Sequence, residues 1–214
     1  VSNFYFSQGD YDQALRYAEK INEDILSPAD KDRINFQKGY AYFSKKENNK
    51  AKNYLEKVDL DGTYGNQAKY YLGYISYANN DYTQANEYFA NVESVEKYQE
   101  RMGYYKADMQ FKSGNFDKAV EEGLAQMPKS TEAEKSELSK IIGESYFNLK
   151  QYDKALPYLL AYEGKNGKLS NVDFYQLGYS YYQQKDYDKA VSEFNKIIGG
   201  NDAVAQNAYY HLGE

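Results

Sequence analysis

Six alanines recur along this chain in the same local setting. They are Ala14, Ala51, Ala85, Ala119, Ala155 and Ala190, separated by 37, 34, 34, 36 and 35 residues. Self-similarity at that period marks a solenoid of stacked helical hairpins. A solenoid presents a surface rather than an enclosed pocket, so the expected function shifts from catalysis to holding another molecule.

The neighbours of each alanine confirm the register. Twelve residues upstream lie Ser2, Gly39, Gly73, Ala107, Gly143 and Gly178, all small, with Gly213 next in phase. Small residues there allow close helix–helix approach. Three residues upstream lie Tyr11, Asn48, Tyr82, Phe116, Tyr152 and Tyr187. Four residues downstream lie Ala18, Leu55, Phe89, Gly123, Leu159 and Phe194, and seven downstream lie Ile21, Val58, Val92, Gln126, Tyr162 and Ile197. Alanine followed by bulky residues at four and seven is one face of a helix. Between small residue and alanine the chain turns. Gly9, Gly114, Asn80 and Asn115 suit a left-handed helix end, and Asp10, Asp81, Asn115 and Asp186 suit the cap of the next helix. Each repeat is therefore helix A, a tight turn and helix B.

The segment FYQLGYSYYQQKDYDKAVSEFNKII (Phe174 to Ile198) closely resembles the tetratricopeptide repeat pattern, through Phe174, Leu177, Gly178, Tyr181, Tyr187, Ala190, Phe194 and Ile197. YYLGYISYANNDYTQANEYFANV (Tyr70 to Val92) is similar. The resemblance covers the whole chain. It implies an all-α, right-handed superhelical solenoid of helix-turn-helix repeats and a single array over residues 1–214. That array comprises a partial repeat at 1–28, repeats at 29–64, 65–97, 98–130, 131–168 and 169–200, and a lone helix A at 201–214. Helices A are expected near 30–45, 65–79, 98–113, 132–149 and 171–184. Repeat four departs most, with Ala107 for glycine, Gly123 for a large residue and Gln126 for an apolar one. Pro157 falls inside a helix B. The partial ends suggest a fragment of a longer protein, with self-association expected through those ends.

Composition narrows the function classes. The formal charge is −6 with acids and bases interleaved, so no basic stripe supports nucleic-acid binding. No apolar run approaches transmembrane length, so this segment is not expected to insert in a membrane. Cysteine is absent, which excludes disulfides and thiolate metal sites. There are 27 tyrosines, 10 phenylalanines, no tryptophan and one histidine.

A search for catalytic chemistry finds little. GKNGKL (Gly164 to Leu169) lacks the hydroxyl residue and preceding strand of a phosphate loop and is expected to be an exposed turn. His211 stands alone without thiols, so it is expected to be a partly exposed helix residue rather than a metal ligand or catalytic base. Glu121 and Glu122, and Glu132, Glu134 and Glu137, are expected to be solvated. In STEAEKSELSK the acids occupy a first helical turn behind Ser130 or Thr131 as cap. No catalytic residue, metal site or cofactor is expected.

The candidate for function is a second stripe on helix A, at three before, one after and four after each small residue. It comprises Phe36, Tyr40 and Phe43; Tyr70, Tyr74 and Tyr77; Tyr104, Asp108 and Phe111; Lys140, Glu144 and Phe147; and Tyr175, Tyr179 and Tyr182. These spacings share a helix face. The resemblance implies that this face lines a concave groove where ligands lie, with the tyrosine hydroxyls expected to reach solvent. The competing role is packing, since an aromatic stripe at helical spacing often belongs to a core. The family's carboxylate clamp for acidic tails uses paired Lys and Asn, and here only Lys140 fits, opposed by Glu144. The expected activity is a non-enzymatic scaffold binding a peptide or partner domain. The motif style is similar to tetratricopeptide proteins of the bacterial cell envelope, which implies a periplasmic or envelope location. The rival is a carbohydrate-binding module, since aromatic faces also stack on sugars; the lack of tryptophan counts against it.

Overall fold

The computed structural model describes residues 1–99 and 101–214. Among the described residues thirteen α-helices follow one another: α1 (Ser2–Ser7), α2 (Tyr11–Ala18), α3 (Pro28–Ser44), α4 (Asn48–Leu55), α5 (Gly65–Ala78), α6 (Tyr82–Ala90), α7 (Glu96–Lys112), α8 (Phe116–Gln126), α9 (Glu132–Asn148), α10 (Tyr152–Ala161), α11 (Asn171–Gln183), α12 (Tyr187–Asn195) and α13 (Ala203–Gly213). Odd-numbered helices are helices A and even-numbered ones helices B. Among the described residues there is no strand; the Lys165–Lys168 pairing is an isolated bridge across a turn. The chain divides into two compact units, Val1–Gln99 and Glu100–Glu214.

The fold is all-α, built of helix-turn-helix hairpins, and the reason lies at each crossing of helix A with helix B. Ala51, Ala85, Ala119 and Ala155 are completely buried, and Ala14 and Ala190 nearly so. A side chain at Gly39 would collide with Leu55, at Gly73 and Gly178 with the rings of Phe89 and Phe194, and at Gly143 with Leu159, all within 2.6–2.9 Å. A glycine on A and a large residue on B thus form socket and plug. Removing such a plug costs about 3–5 kcal/mol.

The turns repeat as strictly as the crossings. Gly9, Lys46, Asn80, Gly114, Lys150 and Lys185 all take positive φ, between 59° and 76°. The next residue's N–H reaches back across each turn: Asp10 to Tyr5, Glu47 to Tyr42, Asp81 to Ser76, Asn115 to Gln110, Gln151 to Tyr146 and Asp186 to Tyr181, at 2.8–3.0 Å. This is the Schellman closure of a helix end. Asp10, Asp81 and Asp186 then cap the following helix through their carboxylates. Asn115 does neither job expected of it. Its φ is −86° and its amide donates to Gln110 Oε1 at 2.9 Å. Gly114, one residue earlier, supplies the left-handed turn.

Helices A begin on strong signals. Ser27 caps α3 with Pro28 in the first turn. Thr131 with Glu134, and Ser170 with Asp173, form capping boxes on α9 and α11. Pro157 lies within α10, as its position required.

Candidate partner-binding surface

In the N-terminal unit the helix A stripe forms a connected run of rings. Tyr40, half-buried, meets Phe6, Tyr11 and Tyr71 edge to face at 5.7, 5.7 and 5.2 Å. Phe43 lies 4.8 Å from Tyr71 and 5.4 Å from Tyr74. Tyr74 leads on to Tyr77, and Tyr77 to Tyr82. The run therefore passes from α3 to α5 to the start of α6. The hydroxyls of Tyr11, Tyr40 and Tyr71 hydrogen-bond together, and burial pushes the phenols of Tyr11 and Tyr71 up. Phe36 and Tyr70 behave differently. Phe36 is buried and stacked on Tyr64 at 4.9 Å; Tyr70 is buried and stacked on Tyr98 at 4.5 Å. The expected access to Tyr70 is therefore corrected: its ring is enclosed by Tyr71, Phe89 and Tyr98.

Tyr71 was not among the expected stripe residues, yet it joins Tyr40 to Phe43. It sits two residues before Gly73, and the places in phase with it hold Gln37, Tyr105, Ile141 and Gln176. That phase points a side chain toward the preceding helix A, and reading it as a third position would have found the bridge.

In the C-terminal unit the stripe opens with charge. Asp108 is buried and its Oδ2 lies 2.6 Å from Lys112 Nζ. Burial, with the charges of Asp108 and Glu137, pushes the Tyr104 phenol up to about 12. Lys140 Nζ lies 3.2 Å from Asp173 Oδ1, 3.8 Å from Glu144 Oε1 and 4.6 Å from the centre of the Tyr162 ring. Asp173 is held there because its other oxygen serves the capping box of α11. Burial raises the Glu144 carboxyl above its ordinary range, although Lys140 pulls the other way. Gln176 Oε1 is buried beside them without a hydrogen-bond partner.

The stripe ends in rings around His211, which is half-buried. Its ring lies 5.0 Å from Tyr179, 5.2 Å from Tyr182 and 5.8 Å from Phe194, while Tyr175 Oη is 3.4 Å from Nε2. Glu214 Oε2 is 2.9 Å from His211 Nδ1 and accepts from Tyr182 Oη at 3.2 Å. His211 is thus a hub of this aromatic cluster. Tyr209 and Tyr210 on the same helix are exposed.

Among the described residues no group of three or more acids and histidine is placed to hold a metal ion, and no helix is long and apolar enough to cross a membrane. The loop at Gly164 to Leu169 is a turn with Gly164, Asn166 and Gly167 at positive φ.

Residues 32–59 and 174–199 each match a tetratricopeptide repeat profile. No curated protein matches the chain. Several solved structures share the fold. The C-terminal part of a TPR repeat-containing protein from Cytophaga hutchinsonii aligns with a TM-score of 0.66 at 16% identity, covering 92% of this chain and 76% of that one. PilW, a type IV pilus biogenesis factor, aligns at 0.62 and 15% identity, covering 97% of this chain and 94% of that one. A tetratricopeptide repeat protein from Parabacteroides merdae aligns at 0.51 and 16% identity, covering all of this chain and 82% of that one. These are likenesses of fold. Such repeats support a protein–protein interaction scaffold and are typically non-enzymatic. Residues 32–59 and 174–199 thus resemble tetratricopeptide repeats, and the chain as a whole shares the fold of proteins built from them.

Proposed function

We propose that this protein is a non-enzymatic scaffold that holds an extended protein segment against its helices A. The observation that carries this is the run Tyr40–Tyr71–Phe43–Tyr74–Tyr77, half-buried rings touching in sequence across two repeats. Half-buried tyrosine offers ring area to a partner while its hydroxyl keeps a polar contact. The contributing residues are Tyr40, Tyr74 and Tyr77 in the N-terminal unit. In the C-terminal unit they are Tyr104, Lys140, Glu144, Tyr175, Tyr179 and Tyr182. Phe36, Tyr70 and Asp108 support them from beneath. The reading extends to a bacterial cell-envelope setting, suggested by the motif style and by a pilus biogenesis factor among the similar folds.

Selection of a random peptide library on the immobilised chain, followed by amide shift mapping of the winning peptides on isotope-labelled protein, tests this. Shifts concentrated on α3, α5, α9 and α11 are expected. Shifts confined to α4, α6, α10 and α12 contradict the reading. Binding to oligosaccharides with no peptide selected would instead favour a carbohydrate module.

A further inference from the structure

We propose that a pocket between α7 and α9 receives a basic side chain, arginine or lysine, of the bound segment. This rests on the groove reading above and names the chemistry of the partner. The pocket has a volume of about 330 Å³ and is lined by Arg101, Tyr104, Tyr105, Ala133, Glu134 and Glu137. Tyr104 and Tyr105 meet edge to face, with ring centres 5.8 Å apart and planes at 78°. Their wall therefore offers an aromatic face on which a cation is stabilised.

The two carboxylates are not equivalent. Glu134 is committed to the capping box, accepting from the Thr131 N–H at 2.8 Å and the Thr131 hydroxyl at 2.9 Å, and the Arg101 charge acts on it as well. Glu137 is exposed and makes no ion pair or side-chain hydrogen bond among the described residues. Lys135, the nearest lysine along α9, is held 2.7 Å from Glu132. Glu137 is thus an unspent carboxylate beside two phenol rings, in a recess large enough for a long side chain. Its charge bears on the Tyr104 phenol, whose main perturbation is burial, and the Arg101 guanidinium that also lines the pocket acts on Glu134. With the Arg101 charge acting on Glu134, the Glu137 carboxylate is the one left to receive a cation.

The same unit displays the arrangement with its own lysine. One turn along α9 from Glu137, the Lys140 ammonium sits between Asp173 and Glu144 and over the Tyr162 ring. Tyrosine faces and carboxylates therefore hold a cation on this side of α9 already. The Tyr104–Glu137 pocket has the matching rings and carboxylates, with the Arg101 guanidinium in its lining acting on Glu134. A guanidinium gains twice there, from the ring face and from a charge-assisted bond to Glu137.

The test uses Nα-acetyl-arginine amide, its uncharged citrulline analogue and Nα-acetyl-glutamate amide as probes, titrated into the isotope-labelled full chain. Saturable shifts at Tyr104, Ala133 and Glu137 are expected with the arginine probe, and much weaker ones with the other two. Glu137→Gln is expected to weaken the arginine probe about two- to fivefold, with the melting temperature unchanged. Equal response to arginine and citrulline, or full arginine binding by Glu137→Gln, overturns the proposal. Such a failure is distinct from failure of the groove reading, because library-selected peptides lacking basic residues would still map to helices A.

Discussion

At the crossing of α11 and α12, the Phe194 ring fills the space above Gly178; at the crossing of α7 and α8, Gly123 stands where Phe194 would be and Ala107 where Gly178 would be. The second crossing is nonetheless closed. Ile142, reaching in from α9, lies 2.7 Å from where a side chain on Gly123 would begin, with Ala107 at 3.9 Å. Gln126, which replaces an apolar residue in the same repeat, is buried against Gly103, and its amide donates to Ser130. What recurs along this chain is filled volume at each crossing. Whether that volume comes from the repeat's own helix B or from the next helix A is free to vary. The departures of repeat four in sequence are therefore compensated substitutions, and repeat four is coupled to repeat five more tightly than a regular repeat would be.

The comparison breaks most visibly at the regular crossing. Phe194→Ala is expected to cost about 3–5 kcal/mol, read as a lowered denaturation midpoint, because it removes a fully buried ring. A loss under about 1 kcal/mol would mean that α12 is not anchored by this ring. Next comes the irregular crossing. Gly123→Leu restores the usual large residue but drives it into Ile142, at a cost of roughly 1–3 kcal/mol. Adding Ile142→Ala to that variant should recover about 1 kcal/mol or more relative to additivity, since the two side chains share one space. Strict additivity in the double-mutant cycle would separate the two crossings from the common volume argued here. Ala85→Leu, at a fully buried alanine, belongs to the same class of overpacking at roughly 1–3 kcal/mol.

Smaller effects sharpen the turns and the charged end of the stripe. Lys46, Lys150 and Lys185 sit at φ of 62°, 59° and 63°, where an L side chain is disfavoured. Lys185→Gly is expected to stabilise by up to about 1 kcal/mol, the relief of that conformation less the added freedom of the unfolded chain. A destabilised variant would show that the lysine side chain has a role beyond the turn. Glu144 has the opposite sensitivity, to pH. Its folded-state value is raised by burial, so the neutral form is favoured on folding. Its contribution is complete below the unfolded value and declines as pH rises through the folded one. Thermal melts of wild type and Glu144→Gln across the acidic to neutral range should diverge in that direction, with the decline absent from the variant. Parallel curves would remove Glu144 from the account.

Much of this fold is written in the period. The spans expected for helices A lie within two residues of the observed ends for α3, α5, α7, α9 and α11, because small residue, turn and alanine recur at fixed offsets and the caps at Ser27, Thr131 and Ser170 are strong local signals. The turn residue was legible at Gly9, Asn80 and Gly114 and hidden at Lys46, Lys150 and Lys185. At those three the closing hydrogen bond forces a left-handed residue whatever its type, so offset is the better guide than identity. The stripe was legible as a face but not as a surface. Phase places Tyr70 and Tyr74 on the same side of α5, yet Tyr98 covers the first, and that depends on a ring 28 residues away in sequence. Asp108, Lys140 and Glu144 were legible as charges within the stripe; the Asp108–Lys112 pair follows the helical i,i+4 spacing, whereas the reach of Lys140 to Asp173 on the next helix A is encoded by no local spacing.

The central claim is that the half-buried rings of helices A bind a partner rather than merely pack. Calorimetric titration of a library-selected peptide into Tyr74→Ala, with the variant's melting curve recorded alongside, tests it most directly. Loss of about 1–2 kcal/mol in binding with a nearly unchanged melting temperature is the predicted result. A lowered melting temperature with undiminished affinity would contradict it and make Tyr74 a packing residue like Tyr70.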